Sequence, residues 1–295
     1  MKQRLKQALA LLIIVATIVA FIYYARSHSQ VIDTLRRLPV ATIGLLLLLY
    51  TASFLAYAFV TQSSLALYKK SLGRQETILF NAYSSLINFF GPGQSGPVFR
   101  GAYLKKRHGL RVTHYVFATL LYYAFFAIIS VLMVCAGSRP WWQTLAVLAV
   151  AAAVSVAGVK WYKRRHKIAA AELHIGPMAR IGLFASLQLV LQAAIYAVEL
   201  RSVGAHASAG HTLTYAGVAN LSVFVALTPG AIGIREAFLL FSQRLHHIGS
   251  AAIVAASVVD RGIYLIFLGI LFAATLSLHA KKKLQLPHSP HKEGQ

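Results

Sequence analysis

Five charged side chains in this sequence lie inside or beside long apolar stretches. Arg100 follows the run GPGQSGP, and the pair Arg235-Glu236 follows a second Pro-Gly run. The pair Asp260-Arg261 interrupts the last apolar stretch. Charges at such positions are costly and usually functional. Because guanidinium groups bind phosphates and other anions, the chemistry that these residues could perform is anion binding, with the carboxylates orienting the arginines or exchanging protons.

Ion pairing within this set is the alternative to ligand binding. Asp260 and Arg261 are neighbours on a helix, where adjacent side chains point in different directions, so they need not pair with each other. We expect Asp260 to pair with Arg235. By the same logic we expect Glu236 to pair with Arg261. Such a network is either purely structural or takes part in anion binding or proton coupling.

Two charged positions also have surface interpretations. The run KKR follows Arg100 closely, so Arg100 either binds an anion or belongs to the basic charges at a membrane surface. Glu199 stands two residues before Arg201, and we expect an interfacial ion pair there.

Proline and glycine surround both arginine motifs. A helix that begins after each turn would present free N–H groups and a positive dipole end, which favour a bound anion. We expect two prolines to break helices and four glycines to permit sharp turns and close backbone approach. These residues are Pro92, Gly93, Gly96, Pro229, Gly230 and Gly233. Three nearby polar side chains could satisfy freed backbone groups or line a polar path: Asn88, Asn220 and Thr228.

The composition places these motifs in a membrane. Of 295 residues, 58% are hydrophobic and 12% are charged, and ordinary soluble domains carry about twice that charged share. These values exclude a disordered chain and argue against a soluble domain. The single cysteine, Cys135, lies in an apolar run and excludes an intrachain disulfide and a cysteine-based metal site.

Six apolar runs are long enough to cross a bilayer, which takes about 20 helical residues. They cover residues 7–25, 40–67, 112–136, 141–160, 180–200 and 250–278. Two shorter runs, 77–90 and 212–228, contain asparagine and end near Pro-Gly turns, which is typical of re-entrant broken helices. The sequence therefore predicts an all-α polytopic membrane protein with six spans and two re-entrant hairpins.

The two hairpins belong to an internal repeat. PGQSGPVFRGAYL (92–104) and PGAIGIREAFL (229–239) share the pattern P-G-x-x-G followed by Arg, and their prolines are 137 positions apart. The spans repeat at nearly the same offset. We therefore expect one membrane domain over residues 1–280 with halves 1–137 and 138–280, followed by a basic cytoplasmic tail, 281–295. Three spans per half require the halves to insert in opposite orientations, an inverted repeat.

The net charge of +22 mainly describes the topology. With six spans, 21 of the 29 basic residues fall on one side of the membrane and six on the other. Because basic residues accumulate on the cytoplasmic side, both termini are expected there. A charge distributed in this way favours an anionic lipid surface and argues against a nucleic-acid partner.

Enzyme signatures are missing from the sequence. It contains no P-loop, no H-E-x-x-H, no G-x-S-x-G and no paired-carboxylate spacing. His246-His247 and the tail segment HSPH are only weak metal signals. We expect no enzymatic activity, no cofactor and no metal site.

Three segments resemble a known family, the lysylphosphatidylglycerol synthase transmembrane region or flippase-like domain. TPGAIGIREAFLLF is similar to its signature, PGQSGPVFRGAYLKKRHGL to its first motif, and VVDRGIYLIFLGILF to its closing span. Pro97 stands where the family pattern usually has Glu after the first turn, whereas Arg100 is retained. No part of the sequence resembles the soluble aminoacyl-transferase domain of the synthases.

The resemblance implies lipid translocation without lysyl transfer, in a bacterial inner membrane. The implied cargo is an anionic phospholipid, a glycolipid or a polyprenyl-linked lipid. Its headgroup would bind at Arg100, Arg235, Glu236, Asp260 and Arg261. Two alternatives remain open: a non-transporting membrane partner of a lipid-modifying enzyme, and a small-solute secondary transporter.

Overall fold

The computed structural model describes residues 36–91, 95–138, 141–165, 175–225 and 233–284. These residues form helices joined by short turns, which confirms the all-α fold class. In chain order the helices are α1 (Val40–Ala66), α2 (Arg74–Phe90), α3 (Ser95–His108), α4 (Val112–Ser138), α5 (Trp141–Arg165), α6 (Ile175–Ser202), α7 (Ala209–Leu221), α8 (Ile234–Phe241), α9 (Gln243–His246) and α10 (Ser250–Leu284). A short 3-10 turn, Ser222–Val225, extends α7.

Four of these helices are long and apolar enough to cross a membrane: Val40–Ala66, Val112–Gly137, Ile175–Ser202 and Ser250–Ser277. They correspond to four of the six predicted spans. The predicted span 141–160 forms helix α5, of which Ala152–Trp161 is the apolar stretch, so its crossing stays a prediction. The first predicted span, 7–25, lies outside the described residues, as does most of the basic tail.

Helices α1 and α6 pack along each other and make the most extensive helix contact of the described bundle. Phe59 of α1 stacks on Phe184 of α6, with ring centroids 4.8 Å apart. Leu46 and Ile195 of these helices are buried in one apolar cluster, to which α10 contributes Val259 and Ile263. Both helices are apolar on nearly all sides, as expected where lipid and protein share the helix surface.

The predicted halves have matching helix order. Val40, Arg74, Ser95 and Val112 begin α1, α2, α3 and α4, and Ile175, Ala209, Ile234 and Ser250 begin α6, α7, α8 and α10. The packing also corresponds, because α4 packs on α7 of the other half while α10 packs on α2. The opposite membrane orientation of the halves and the re-entrant position of the hairpins stay predictions.

Glycine allows α4 and α7 to approach closely. A Cβ atom on Gly217 of α7 would lie 2.6 Å from the Ser130 carbonyl oxygen and 2.7 Å from Val134 of α4. Small residues have this role in many membrane helix pairs, since packing rather than burial from water holds the helices together.

Gly217→Ala is expected to destabilise the protein by about 1–3 kcal/mol, because the added methyl group forces α4 and α7 apart. The higher helix propensity of alanine, about 1 kcal/mol, does not offset this overlap. Gly158→Ala on α5 is the matched control, because its Cβ would meet no atom within 4 Å. Thermal unfolding in detergent should show a lower midpoint for Gly217→Ala and an unchanged or higher one for Gly158→Ala. Equal shifts would contradict the close approach.

Candidate functional site

A cavity of about 330 Å³ lies among the helices of both halves. Its polar lining comes from eight of the described helices, α1 to α4, α6 to α8 and α10, and includes six of the predicted site residues. Of those residues, Asn88, Arg100, Asn220, Arg235, Asp260 and Arg261 line the cavity. Six tyrosines also line it: Tyr50, Tyr57, Tyr122, Tyr123, Tyr196 and Tyr264. The two arginine motifs, which are far apart in sequence, therefore face one internal space.

Arg100 is buried beside this cavity, with 8% of its surface exposed. Its guanidinium carbon lies 4.3 Å from the centre of the Tyr57 ring, and its Nε donates a 2.6 Å hydrogen bond to Ser84 Oγ. Among the described residues, no carboxylate lies within 4.0 Å of its guanidinium nitrogens. Arg100 thus differs from Lys105 and Lys106, which are exposed on the same helix and with which it was grouped in the topology count.

The other two arginines of the site are neutralised by carboxylates. Arg235 Nη2 pairs with Asp260 Oδ2, and Arg261 Nη2 lies 3.1 Å from Glu236 Oε1. Both predicted pairings are therefore confirmed. Each pair connects α8 to α10, and their charges cancel. The cationic character of the cavity consequently comes from Arg100.

Glu236 also shapes the second turn. Its Oε2 accepts a 2.8 Å hydrogen bond from the backbone N–H of Gly233, three residues earlier. Gly233 has φ +82°, a conformation that glycine adopts without strain. Glu236 thus caps the start of α8 with one oxygen and holds Arg261 with the other, which fits a structural role behind the cavity wall.

Gly96 permits close contact in the first hairpin. A Cβ atom there would lie 2.8 Å from the Asn88 Cβ and 2.9 Å from the Ser84 carbonyl oxygen. The Gly96 N–H donates a 3.2 Å hydrogen bond to Asn88 Oδ1, which joins α2 to α3. The predicted turn residues Pro92, Gly93, Pro229 and Gly230, and the polar residue Thr228, lie outside the described residues.

Glu199 was expected to pair with Arg201 at the membrane surface, and that expectation is wrong. Glu199 is 1% exposed, whereas Arg201 is exposed to the surroundings. Tyr50 Oη lies 3.2 Å from Glu199 Oε1 and 2.5 Å from Asp260 Oδ1. Helix α6 directs the Glu199 side chain into the protein. Glu199 therefore belongs to the buried charged cluster and not to the membrane surface.

Two amide side chains on the cavity wall have unused hydrogen-bonding atoms. Asn220 Nδ2 and Gln192 Oε1 are buried and have no hydrogen-bond partner in the described part of the chain. Asn220 is 2% exposed and lies on α7, and Gln192 lies on α6. Buried polar atoms are normally satisfied, by protein, water or a ligand. The cavity wall therefore offers a ligand one hydrogen-bond donor and one acceptor in addition to the guanidinium of Arg100.

Another carboxylate, Glu76, connects the beginning of α2 to the last turns of α3. Glu76 Oε1 accepts a 2.6 Å hydrogen bond from Tyr103 and lies 2.8 Å from His108 Nε2. Partial burial alone would raise the pKa of Glu76, but these hydrogen bonds outweigh it and lower the pKa from its ordinary value of 4.5. Burial and the same hydrogen bond raise the pKa of Tyr103 to about 12.

Ionised Glu76 is expected to stabilise the first hairpin. Because its folded pKa is lowered, this contribution is complete above pH 4.5 and is lost as the pH falls through the folded value. Thermal unfolding from neutral pH down to about pH 3 should show a higher midpoint for the wild type than for Glu76→Gln. The difference should vanish at the acid end. A difference that stays constant across this range would contradict the role of the ionised group.

His246 makes structural contacts. Its Nδ1 accepts a 3.2 Å hydrogen bond from the Ile248 N–H, which leaves Nε2 to donate to the Leu239 carbonyl oxygen at 2.9 Å. Both ring nitrogens are therefore engaged within the chain. Over the described ranges, no group of three or more His, Cys, Asp or Glu side chains is placed to hold a metal ion.

Comparison with known proteins identifies one family. A family model described as the lysylphosphatidylglycerol synthase TM region matches residues 7–271, which is most of the chain. This match confirms the resemblance carried by the two arginine motifs and the closing span. No curated protein matches the chain. Together with the four long apolar helices, the family match makes this a multi-pass membrane protein.

Proposed function

We propose that this chain, which belongs to the family of the lysylphosphatidylglycerol synthase transmembrane region, moves the anionic headgroup of a lipid between the two leaflets of its membrane. The cargo would be an anionic phospholipid, a glycolipid or a polyprenyl-linked lipid. The same proposal places the chain in a bacterial inner membrane, with both termini cytoplasmic and membrane lipids as its partners.

One observation carries this proposal: Arg100 is a buried cation without a carboxylate partner among the described residues, beside a cavity between apolar helices. A buried, unpaired charge is costly, and a bound anion removes much of that cost. The stacked Tyr57 ring and the Ser84 hydroxyl hold the guanidinium in place before the anion arrives. A guanidinium fixed in this way suits a phosphate, which it can bind through two parallel hydrogen bonds.

The size of the cavity supports a headgroup as the occupant. A volume of about 330 Å³ is at the lower end of the range for small-ligand sites, about 300–1,000 Å³. A polar headgroup fits such a space, whereas two acyl chains do not. The tails would therefore stay in the surrounding lipid while the headgroup crosses through the protein.

The groups around the cavity are suited to binding and not to catalysis. Among the described lining residues, Asp260 is the carboxylate, and Arg235 and Tyr50 already engage it. The rest of the polar lining consists of hydroxyl, amide and guanidinium groups. We therefore propose transport without covalent chemistry.

Reconstitution into vesicles tests the proposal. Trace amounts of phosphatidylglycerol or phosphatidylcholine with a fluorophore on one acyl chain are included, and an impermeant reductant bleaches the outer leaflet. With the protein present, bleaching of labelled phosphatidylglycerol should proceed well beyond one half, and faster than that of phosphatidylcholine. Vesicles that retain half of both labels would overturn the function. They would then favour the enzyme-partner alternative, or the small-solute alternative if counterflow of a water-soluble anion is seen.

A further inference from the structure

Glu199 is a buried carboxylate that takes part in neither of the two ion pairs of the site. Three of the seven acidic residues of the chain, Glu199, Glu236 and Asp260, gather at one place in the apolar core. Arg261 faces Glu236 and Arg235 faces Asp260. Within the described ranges, Glu199 has no cationic nitrogen within 4.0 Å.

The groups that face Glu199 come from every helix packed around it. Tyr50 lies on α1, Asp260 on α10, Arg235 on α8 and Tyr215 on α7, and Tyr196 lies one turn earlier on α6 itself. Arg235 is the sole cation among them, and Asp260 holds it. If Glu199 were ionised, the cluster would therefore carry an uncompensated negative charge in the apolar core, where Glu199 is 1% exposed.

The hydrogen bonds of the Tyr50 hydroxyl also indicate that Glu199 is protonated. Tyr50 Oη lies 2.5 Å from Asp260 and 3.2 Å from Glu199, and one hydroxyl hydrogen cannot serve two carboxylates. The shorter distance assigns that hydrogen to Asp260, whose charge is fixed by Arg235. A protonated Glu199 then donates its own hydrogen to the tyrosine oxygen, which completes a chain from Glu199 through Tyr50 to Asp260.

We propose that Glu199 holds a proton and delivers it through Tyr50 to Asp260 when an anion in the cavity draws Arg235 away. The Glu199 O–H bond breaks as Tyr50 takes that proton and passes its own to Asp260. Glu199 is left ionised and Asp260 neutral. A proton from the nearer aqueous side then returns to Glu199, so one proton is taken up with each anion bound. The coupling step rests on the proposed lipid movement, whereas the protonation of Glu199 does not.

Infrared spectra of the purified wild type and its variants, compared as difference spectra, test directly whether Glu199 is protonated. At neutral pH the wild type should show the C=O stretching band of a protonated carboxyl group. Glu199→Gln should lose that band, and Tyr50→Phe should keep it. Glu76→Gln is the matched control, because Glu76 is ionised in the wild type and its loss leaves the band in place. A wild-type spectrum without the band, or a band that survives in Glu199→Gln, would overturn the proposal.

Vesicles with a pH difference of one unit test the coupling. In the wild type the leaflet ratio of labelled phosphatidylglycerol should shift by up to about tenfold, the limit for one proton per lipid. Glu199→Gln and Tyr50→Phe should lose this shift, whatever their rate of lipid movement, and Tyr50→Phe preserves the ring packing on Phe267. A wild-type ratio that ignores the gradient would overturn the coupling. Wild-type vesicles without any lipid movement would instead overturn the proposed function, and the infrared result would still decide the protonation.

Discussion

Arg100→Ala is expected to slow the movement of labelled phosphatidylglycerol by about 10- to 100-fold in reconstituted vesicles, which corresponds to the loss of one charge-assisted contact. The substitution removes the cation that no carboxylate of the described ranges neutralises, and it leaves both ion pairs between α8 and α10 intact. The protein should fold normally, because the variant also removes the cost of burying an unpaired charge.

Three further variants make this result specific. Lys105→Ala, an exposed basic residue on the same helix, should move lipid at the wild-type rate. Arg100→Lys keeps the charge but loses the planar group that stacks on Tyr57, so an intermediate rate is expected. Pro97→Glu places a carboxylate one helical turn before Arg100 on the cavity wall and should neutralise it, with a loss close to that of Arg100→Ala. Wild-type rates for both Arg100→Ala and Pro97→Glu would show that the anion binds elsewhere.

Arg235→Gln and Asp260→Asn are each expected to destabilise the protein by about 3–5 kcal/mol, because each leaves one buried charge without its partner. The double variant removes both charges and keeps side chains of similar size that can bind one another. Its stability should therefore lie above that of either single variant. Thermal unfolding in detergent, with exposed Arg201→Gln as the control, measures the difference.

Lipid movement separates the structural role of this pair from its functional role. If Arg235 also binds the anion, the stable double variant should still lose most of the transport rate. A double variant that is stable and fully active would show that the pair only holds α8 against α10. Single variants as stable as the wild type would contradict the burial of the pair.

The fold was largely predictable because its signals are local. Runs such as 40–67 and 250–278 are apolar over more than 20 residues, and a helix is the form in which one such segment satisfies its own backbone. The predicted span at 141–160 also forms a helix, and the charged residues of that helix stand at its end, in KWYKRR. Membrane orientation depends on charge bias summed over loops, and no helix contact records it.

The ion pairs and the cavity positions of Asn88, Arg100 and Asn220 could be predicted, whereas the position of Glu199 and the tyrosine lining could not. Charged residues in apolar sequence are rare, so Arg235 and Asp260 had few possible partners. Glu199 was misassigned because a neighbouring arginine in the sequence suggested a local pair, whereas helix geometry turns the two side chains to different faces. The tyrosines gave no signal, since tyrosine is also common at membrane interfaces. Gln188 and Gln192 stand four residues apart in an apolar span, and that spacing was a signal for a polar helix face.

Two of the helix contacts between the halves, α4 on α7 and α2 on α10, differ in stiffness. Between α4 and α7 the backbones touch: a Cβ on Gly210 would lie 3.5 Å from Gly137 Cα, and the crossing has few side-chain rotamers to change. Between α2 and α10 the contact is made by rings and leucines, with the Phe89 and Tyr264 centroids 5.5 Å apart. Aromatic side chains can change rotamer without breaking a helix, so the contact between α2 and α10 should separate first under thermal motion. The cavity would then open sideways into the bilayer between α2 and α10. The close contact between α4 and α7 would serve as the hinge of this movement.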